Sequence, residues 1–290
     1  MTTTLREAVG ELSDGQSVYL SGFGYSQPFA AAHEIIRQGV SDLRIVRASG
    51  DIMLDQLAGA GCVDEAIVSH CWNAIGPTPT HAFRRAVEDN DPQPLAVEEY
   101  SLGNVVLRFF AGARRLPFIP AGPVEGTAQF ESQALLEEKF KPVTVAGETH
   151  YVMPPLRPDV GFVHADRVDK RGNAQLPGAK AEIKHGAMAC DRLVVVAEEL
   201  ADSGEIQEKP DYTIVPGFMI DDVVVSPGSS HPSGVLGRYG RDVPFLEYYG
   251  EQTETKGGFE AFLDEWVYGV ADRAEYVEKA KSDGYEEVPA

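Results

Sequence analysis

An α/β fold, with an open and mostly parallel sheet flanked by helices, is the architecture that the sequence predicts. Short apolar runs of strand type alternate with amphipathic helical segments through residues 17–88, which is the order found in parallel sheets covered by helices. Two later runs, 159–165 and 192–197, are almost continuously apolar, as strands buried on both faces are. Residues 16–37 read as a strand, a glycine-containing loop and a helix, the unit from which such sheets are built.

The individual elements follow from the same patterns. Strands are predicted at 17–20, 43–48, 66–70, 95–101, 159–165, 192–197, 214–215 and 223–225. Helices are predicted at 3–12, 29–37, 51–60, 79–88, 101–115, 180–189 and 259–280. Residues 166–174 are predicted to be a turn that ends in Gly-Asn. No repeat or linker divides the chain, so we expect residues 1–290 to form a single domain, with 117–151 as the segment where an accessory excursion could leave the sheet.

Length and composition limit the classes of protein that fit. With 290 residues and 43% hydrophobic content, the chain can build a core without disulfides or a structural metal. Its three cysteines, Cys62, Cys71 and Cys190, have neither CxxC spacing nor an even count, which argues against a disulfide framework or a zinc ribbon. No signal-peptide segment and no run of about 18 apolar residues is present. We therefore expect a cytoplasmic protein that neither spans a membrane nor is secreted.

The charge balance is strongly acidic. The chain carries 45 acidic against 25 basic residues, a net charge of −20, and nine of the bases are lysine. Such a surface repels nucleic acid and anionic membranes, so neither is expected as a partner. Two interpretations remain, an ordinary acidic enzyme or one adapted to high salt, where screening removes the self-repulsion of the carboxylates. We favour the second.

The loop of residues 21–28 is the first candidate site. Gly22 and Gly24 lack side chains where the chain must turn sharply, so that backbone N–H groups could face a bound carboxylate or oxyanion. The alternative is that Gly22, Gly24 and Pro28 only form a compact turn. The loop is neither a Walker loop, since no Gly-Lys-Ser/Thr follows, nor a GxGxxG motif.

Few other residues point to chemistry. GxSxG and HExxH are absent and the seven histidines are scattered, so a serine hydrolase and a zinc site lack local support. His33 is expected to serve packing or the surface, and His231 to stabilise a turn. Glu98 and Glu99 are the best carboxylate candidates, but neighbours in a strand point to opposite faces, so at most one can face a crevice. The other would meet solvent or the dipole of the following helix, and one of the two could cap that helix and have no further role.

Four stretches together resemble a known family. They are SGFGYSQPFAAAHEIIRQG at 21–39, EEYSLGNVVLRFFAGARRLPFIP at 98–120, PDVGFVHADRVDKRGNAQL at 158–176 and PGSSHPSGVLGRYGRDVPFLEYY at 227–249. In this order and spacing the chain resembles the A subunits of family I CoA-transferases, most closely those of the glutaconate CoA-transferase type. The resemblance extends from residue 5 to about residue 276 and implies a CoA-transferase-like fold.

The resemblance implies a transfer of CoA between two carboxylic acids, with a CoA thioester as substrate and no metal or permanently bound cofactor. In the family a glutamate attacks the acyl-CoA, forming an anhydride and then a glutamyl-CoA thioester, which the second carboxylate resolves. In two-chain members that glutamate lies on the B subunit. This chain is therefore expected to require a partner, the B subunit, and to supply half of the site.

By resemblance, the half supplied here is the loop of residues 21–28. Gly22, Phe23 and Gly24, with Ser26 or Gln27, would lie beside the acyl group. Gln27 stands where the closest relatives carry a basic residue, which predicts an acyl chain without the same distal carboxylate.

Three alternatives stay open. The steroid ring-opening hydrolases resemble these transferases but lack the B-subunit nucleophile and use a carboxylate of the A subunit, which would fall at Glu98 or Glu99. Glutaconate-type subunits carry an acid pair there too, so the pair does not discriminate. The chain could also be a binding or regulatory protein that has lost the chemistry, or a thioesterase-like enzyme that acts alone.

Overall fold

The computed structural model describes residues 2–75, 78–122, 124–134, 139–180, 182–282 and 284. The described strands are β1 Ser17–Leu20, β2 Leu43–Val46, β3 Val63–Val68, β4 Ala96–Glu99, β5 Ile119–Pro120, β6 Lys141–Val145, β7 Glu148–Met153, β8 Val160–Asp169, β9 Ala174–Gln175, β10 Arg192–Ala201, β11 Thr213–Val215 and β12 Asp222–Val225. The described helices are α1 Leu5–Gly10, α2 Phe29–Gln38, α3 Ile52–Gly59, α4 His81–Glu88, α5 Leu102–Ala113, α6 Ala128–Ala134, α7 Ile183–Ala189, α8 Ser203–Glu208, α9 Val243–Gln252, α10 Lys256–Leu263 and α11 Arg273–Ser282.

The main sheet is mostly parallel, which confirms the predicted fold class. Its parallel strands lie in the order β12, β10, β8, β1, β2, β3, β4. The chain first builds outward from β1 through β4, then returns to the other side of β1 with β8. The strand order therefore reverses between β1 and β8, and in open α/β sheets ligands bind in the crevice at the carboxyl ends of the strands at such a point.

Two hydrophobic cores cover the two faces of the sheet. Residues of β1 alternate between them, since Val18 and Leu20 face the first core and Tyr19 faces the second. The first core packs the sheet against α1–α4 and α9–α11, and the second packs it against α5 and α7. With both faces buried, the functional groups are left to the loops at the strand ends.

The predicted turn at 166–174 is wrong in its first half. Strand β8 continues to Asp169, because Arg167, Val168 and Asp169 pair with β10 as far as Ala201. Only the residues after Asp169 turn, and β9 then pairs antiparallel with the end of β8. Charged and apolar residues alternate in this half of the strand, so the sequence did not show a continuous apolar run there. The length of the strand is set by its pairing with β10.

The accessory segment contains a sheet of its own, and one further helix prediction is wrong. Within 117–151, and on to Met153, strands β5, β7 and β6 form a separate antiparallel sheet. The predicted helix at 259–280 is divided into α10, a π-helical turn at Asp264–Tyr268 and α11. Helix α9 was not predicted; Asp242 caps it, accepting a hydrogen bond from the Phe245 N–H at 2.9 Å. None of the helices in the described ranges is long and apolar enough to cross a lipid bilayer.

Candidate active site at the carboxyl edge of the sheet

The glycine loop, residues 21–28, begins at the switch point itself. The Ser21 N–H donates to the Phe162 carbonyl at 3.2 Å, and the Ser21 hydroxyl oxygen accepts from the His164 N–H at 3.0 Å. Both bonds tie the start of the loop to β8. The loop therefore lies where the topology places a ligand crevice.

The loop folds back on itself so closely that only glycine fits at its first turn. Gly22 has φ +99°, and a Cβ there would lie 2.5 Å from the Ser26 carbonyl oxygen and 2.7 Å from that of Tyr25. Gly24 also has a positive φ, +65°, but a Cβ there would meet nothing within 4 Å. Gly22 is thus required by the fold of the loop. At Gly24 the missing side chain leaves the outer side of the loop open.

The five predicted binding residues divide into two groups. Ser26 and Gln27 are buried, and their N–H groups are bonded to the loop at 228–234, at 2.8 Å to the Gly234 carbonyl and 2.9 Å to the Ser230 hydroxyl. Gly22 is buried as well, while Phe23 is 47% exposed and Gly24 is partly exposed. The structure brings all five together in one loop, but only its tip faces solvent.

The tip of the loop presents backbone N–H groups that the described residues do not use. Those of Phe23, Gly24 and Tyr25 make no hydrogen bond to any other residue that the structure describes. Successive N–H groups in a partly exposed turn form a concave surface that binds anions. These N–H groups would form the oxyanion or carboxylate cradle that the glycines predict.

Arg47 holds the loop from beneath and was missed in the sequence. Its side chain is fully buried, and its guanidinium donates to the carbonyl groups of Leu20 at 3.1 Å and Gly22 at 3.2 Å. Asp51 balances its charge at 3.1 Å. By binding carbonyl oxygens on the inner side, Arg47 fixes the conformation of the loop. The sequence feature that could have identified it is an arginine at the end of an apolar strand, in LRIVRA.

His70 is a second residue that the sequence did not single out. The Ser69 hydroxyl donates to the Ala48 carbonyl at 2.5 Å, so its oxygen can only accept from His70 Nδ1–H at 2.8 Å. When the ring is neutral, Nε2 of His70 carries no proton and accepts from the Ser49 hydroxyl at 2.8 Å. Burial lowers the pKa of His70, against the charges of Asp51 and Glu99, which favours this neutral form.

An aromatic rim surrounds His70. Its ring centre lies 6.2 Å from that of Phe23 and 4.6 Å from that of Trp72, and both neighbours are about half exposed. The rim joins the tip of the glycine loop to the end of β3. It forms an exposed apolar patch beside the cradle, a feature typical of interaction and ligand-binding surfaces.

Glu98 and Glu99 lie on opposite sides of the end of β4. Glu98 is 2% exposed and contacts Arg108 at 2.6 Å, Lys139, and the Tyr100 hydroxyl at 2.6 Å. Burial would raise the pKa of Glu98, but the Arg108 charge and the hydrogen bonds from Lys139 and Tyr100 outweigh it, so the pKa is lowered. Glu99 is exposed, and its charge acts on His70. Of the two carboxylates, Glu99 is the one near the crevice.

The two other singled-out histidines are buried and lie elsewhere. His33 is 1% exposed and bonded to Gln56 at 2.9 Å, and His231 is fully buried between the Tyr276 hydroxyl at 2.8 Å and Asp242 at 3.0 Å. Over the described ranges, no group of three or more His, Cys, Asp or Glu side chains is placed to hold a metal ion.

Comparison with known proteins identifies the family. The profile of the family described as Coenzyme A transferase matches residues 2–226. The chain is 35% identical over 277 residues to the A subunit of the 3-oxoadipate CoA-transferase of Pseudomonas knackmussii, covering 95% of this chain and 96% of that one. It is 29% identical over 278 residues to the cholesterol ring-cleaving hydrolase IpdA subunit of Mycobacterium tuberculosis, covering 92% and 93%.

A third relative supplies a structural match. The A subunit of the glutaconate CoA-transferase of Acidaminococcus fermentans is 30% identical over 292 residues, covering 95% of this chain and 90% of that one. The crystal structure of that glutaconate coenzyme A-transferase superposes with a TM-score of 0.88, covering 97% of this chain and 93% of the other. The predicted resemblance is confirmed, and the chain belongs to the coenzyme A transferase family, among subunits of the A type.

Proposed function

We propose that this chain is the A subunit of a two-chain CoA-transferase that moves CoA between an acyl-CoA and a carboxylic acid. The attacking glutamate comes from the partner B chain, and the acyl group lies against the loop at residues 21–28. CoA enters as a thioester substrate and leaves as one, without a permanently bound cofactor. A cytoplasmic location belongs to the same proposal and is supported by three cysteines that are all free thiols.

The observation that carries the proposal is the row of unused N–H groups on Phe23, Gly24 and Tyr25. They lie at the switch point of the sheet, on the partly exposed side of a loop whose inner carbonyl groups are held by Arg47. Each step of the proposed reaction places negative charge on an acyl oxygen, and fixed N–H donors stabilise such charge, by about 3 kcal/mol for one well-placed donor. The cradle thus supplies electrostatic stabilisation, while the nucleophile is left to the partner.

The test is reconstitution from separate chains. We expect no CoA transfer from acetyl-CoA to a carboxylic acid by this chain alone, and transfer once the B chain is added. The complex should be inactivated by hydroxylamine only in the presence of acyl-CoA, because only then does a glutamyl thioester form. Transfer by this chain unaided would overturn the proposal.

A second candidate function is the hydrolytic opening of a ring in a CoA thioester, with Glu99 as general base. It is favoured by the exposure of Glu99 at the end of β4, by the effect of its charge on His70, and by the similarity to the ring-cleaving hydrolase subunit. We assign this role to Glu99 and not to Glu98, because the Glu98 carboxylate pairs with Arg108 and Lys139. Glu99→Gln should abolish turnover in a hydrolase and leave most of it in a transferase.

A further inference from the structure

The glycine loop is bonded along its backbone to the loop at 228–234. The Ser26 N–H donates to the Gly234 carbonyl at 2.8 Å, and the Gln27 N–H donates to the Ser230 hydroxyl at 2.9 Å. These two N–H groups directly follow the tip of the glycine loop in the chain. The direction in which the N–H groups of the tip point therefore depends on where the second loop lies.

One buried carboxylate, that of Glu198 on β10, fixes the start of this second loop. Glu198 is 4% exposed. Its Oε2 accepts from the Gly228 N–H at 2.6 Å, and its Oε1 accepts from the hydroxyl groups of Ser229 at 3.1 Å and Tyr239 at 2.7 Å. The same Oε1 accepts from Nε2 of His164, on the neighbouring strand β8, at 2.9 Å. The two longest strands of the sheet and the second loop thus meet at this carboxylate.

The carboxylate of Glu198 is charged in this arrangement. Donors surround both of its oxygens, and a carboxyl group that kept its proton would present a further donor to one of them. Burial would raise the pKa of Glu198, but the hydrogen bonds from His164, Tyr239 and the Gly228 N–H outweigh it, so the pKa is lowered. The Gly228 carbonyl in turn accepts from Arg273 at 2.7 Å. Both polar backbone groups of Gly228 are therefore fixed by buried charged side chains.

Tyr239 and Ser230 connect Glu198 to the glycine loop. The Tyr239 hydroxyl, which donates to Glu198, accepts from the Ser230 N–H at 3.3 Å. The Ser230 hydroxyl accepts from the Gln27 N–H. Tyr239, Ser230 and Gln27 are all buried. A path of hydrogen bonds between buried groups therefore runs from the carboxylate to the glycine loop.

We propose that Glu198 is a positioning residue for the reaction, which fixes the loop at 228–234 so that the N–H groups of the glycine loop point at the acyl oxygen. The inference rests on the proposed function, since it concerns the same cradle. Donors stabilise a developing oxyanion only when they are fixed in place beforehand, and a misplacement of about 1 Å can lower a rate about a hundred-fold. In this role Glu198 acts through Tyr239 and Ser230 and not by contact with the substrate.

Glu198→Gln tests this role in the reconstituted two-chain enzyme, with acetyl-CoA as the donor. The amide has one acceptor oxygen, so its NH2 group must face either the Gly228 N–H or the donors on the other side. We expect kcat to fall about ten-fold or more, because the N–H groups of the cradle move away from the acyl oxygen. The KM for acetyl-CoA should stay about the same, because the charge on that oxygen develops only in the transition state.

Ser230→Ala is a milder variant on the same path, since it removes only the acceptor of the Gln27 N–H. It should also lower kcat. When it is combined with Glu198→Gln, the loss in kcat should be smaller than the product of the two single losses, because both changes act on the same contacts. Losses that multiply in the double variant would show that the two residues act separately, and would overturn the inference.

The matched control is Glu199→Gln. Glu199 is the next residue of β10, but its side chain is 39% exposed, and it pairs with Arg167 and Arg238 at 2.8 Å each. Because exposed ion pairs contribute little, the control should leave kcat about unchanged. Equal kcat values for Glu198→Gln and Glu199→Gln would overturn the inference. A higher KM for acetyl-CoA with an unchanged kcat would overturn it too.

Amide hydrogen exchange on the same complexes distinguishes positioning from a general loss of stability. In Glu198→Gln, peptides covering residues 21–30 and 228–239 should exchange faster than in the parent protein, whereas peptides from β6 and β7 should not change. Faster exchange along the whole chain would mean that Glu198 only stabilises the fold, which would overturn the inference.

The same measurement separates this inference from the proposed reaction. If the parent complex transfers no CoA, but exchange at residues 21–30 is faster in Glu198→Gln alone, the reaction is wrong and the positioning of the loop by Glu198 stands. If CoA is transferred, and both kcat and the exchange at 21–30 are the same in the parent and in Glu198→Gln, the reaction stands and the role of Glu198 falls.

Discussion

The carboxylate of Glu98 and the guanidinium of Arg108 lie 2.6 Å apart, with 2% and 4% of the side chains exposed. The Tyr100 ring packs 4.5 Å from the guanidinium carbon and its hydroxyl donates to the same carboxylate. The pair joins the end of β4 to helix α5 inside the second core. Glu98 is therefore a structural carboxylate, although the sequence places it next to Glu99 without distinguishing the two.

Glu98→Gln is expected to lower the free energy of unfolding by about 3 kcal/mol, because the Arg108 charge would stay buried without its counterion. Urea denaturation measures the change. Glu99→Gln, on the same strand but exposed, is the control and should stay within about 0.5 kcal/mol of the parent protein. Equal stability of the two variants would show that the buried pair is not needed.

Gly22→Ala and Gly24→Ala should differ although the two glycines are two residues apart. A Cβ at Gly22 would collide with the carbonyl groups of Ser26 and Tyr25, and we expect a loss of about 3 kcal/mol in stability. A Cβ at Gly24 meets only open space, so its cost should be about 1 kcal/mol from the positive φ.

Activity of the two-chain enzyme then tests the cradle. Gly24→Ala should keep the fold and lose most of the CoA transfer, because its methyl group projects from the tip that the acyl group is proposed to contact. Full activity of Gly24→Ala would mean that the glycine only serves the turn.

His33 should make the protein sensitive to mild acid. Burial, followed by the charge of Arg273, lowers the pKa of His33 well below its usual value, and its Nδ1 lies 3.5 Å from that guanidinium. Below about pH 6.5 the histidine is protonated in the unfolded chain but not in the folded one. The free energy of unfolding therefore falls as the pH is lowered, until the pKa of the folded state is reached. Between about pH 7.5 and about pH 5.5 this costs on the order of 1 kcal/mol.

Urea midpoints at these two pH values, for the parent protein and for His33→Gln, measure the effect. On acidification the variant should lose less stability than the parent protein, by on the order of 1 kcal/mol. His150→Gln is the control, since the His150 side chain is 50% exposed. The same pH dependence in all three proteins would contradict the assignment.

Added KCl should stabilise the protein. The net charge of −20 makes the folded state repel itself, and the screening length falls from about 10 Å at 0.1 M salt to about 3 Å at 1 M. Exposed ion pairs such as Arg84–Glu88, at 2.9 Å, weaken in salt and act in the opposite direction, but each is worth less than about 1 kcal/mol. Thermal unfolding between these concentrations gives the sign, and a melting temperature that falls with KCl would exclude high-salt adaptation.

Fold class and the position of the glycine loop could be predicted because both depend on local patterns. The apolar runs of β8 and β10 mark strands buried on both faces, and Gly22 and Gly24 mark a turn that needs positive φ. The extent of β8 could not be predicted, because its last residues are strand only through pairing with β10.

The site residues that sequence reasoning missed share one property. Arg47 and His70 are separated by more than twenty residues and lie at the same site only because the carboxyl ends of parallel strands share an edge. The sequence around a single charged or polar residue does not show which side chains from other strands will contact it.

By itself, the sequence determined the alternating α/β order, the glycine turn at Gly22 and the family, since each depends on contiguous residues. Tertiary structure alone decided that the Glu98 carboxylate pairs with Arg108 inside the second core, while Glu99 is exposed at the end of β4. The physical reason is that the energy of a charge depends on its burial and on which opposite charges lie within a few ångströms, and folding, not chain order, sets both.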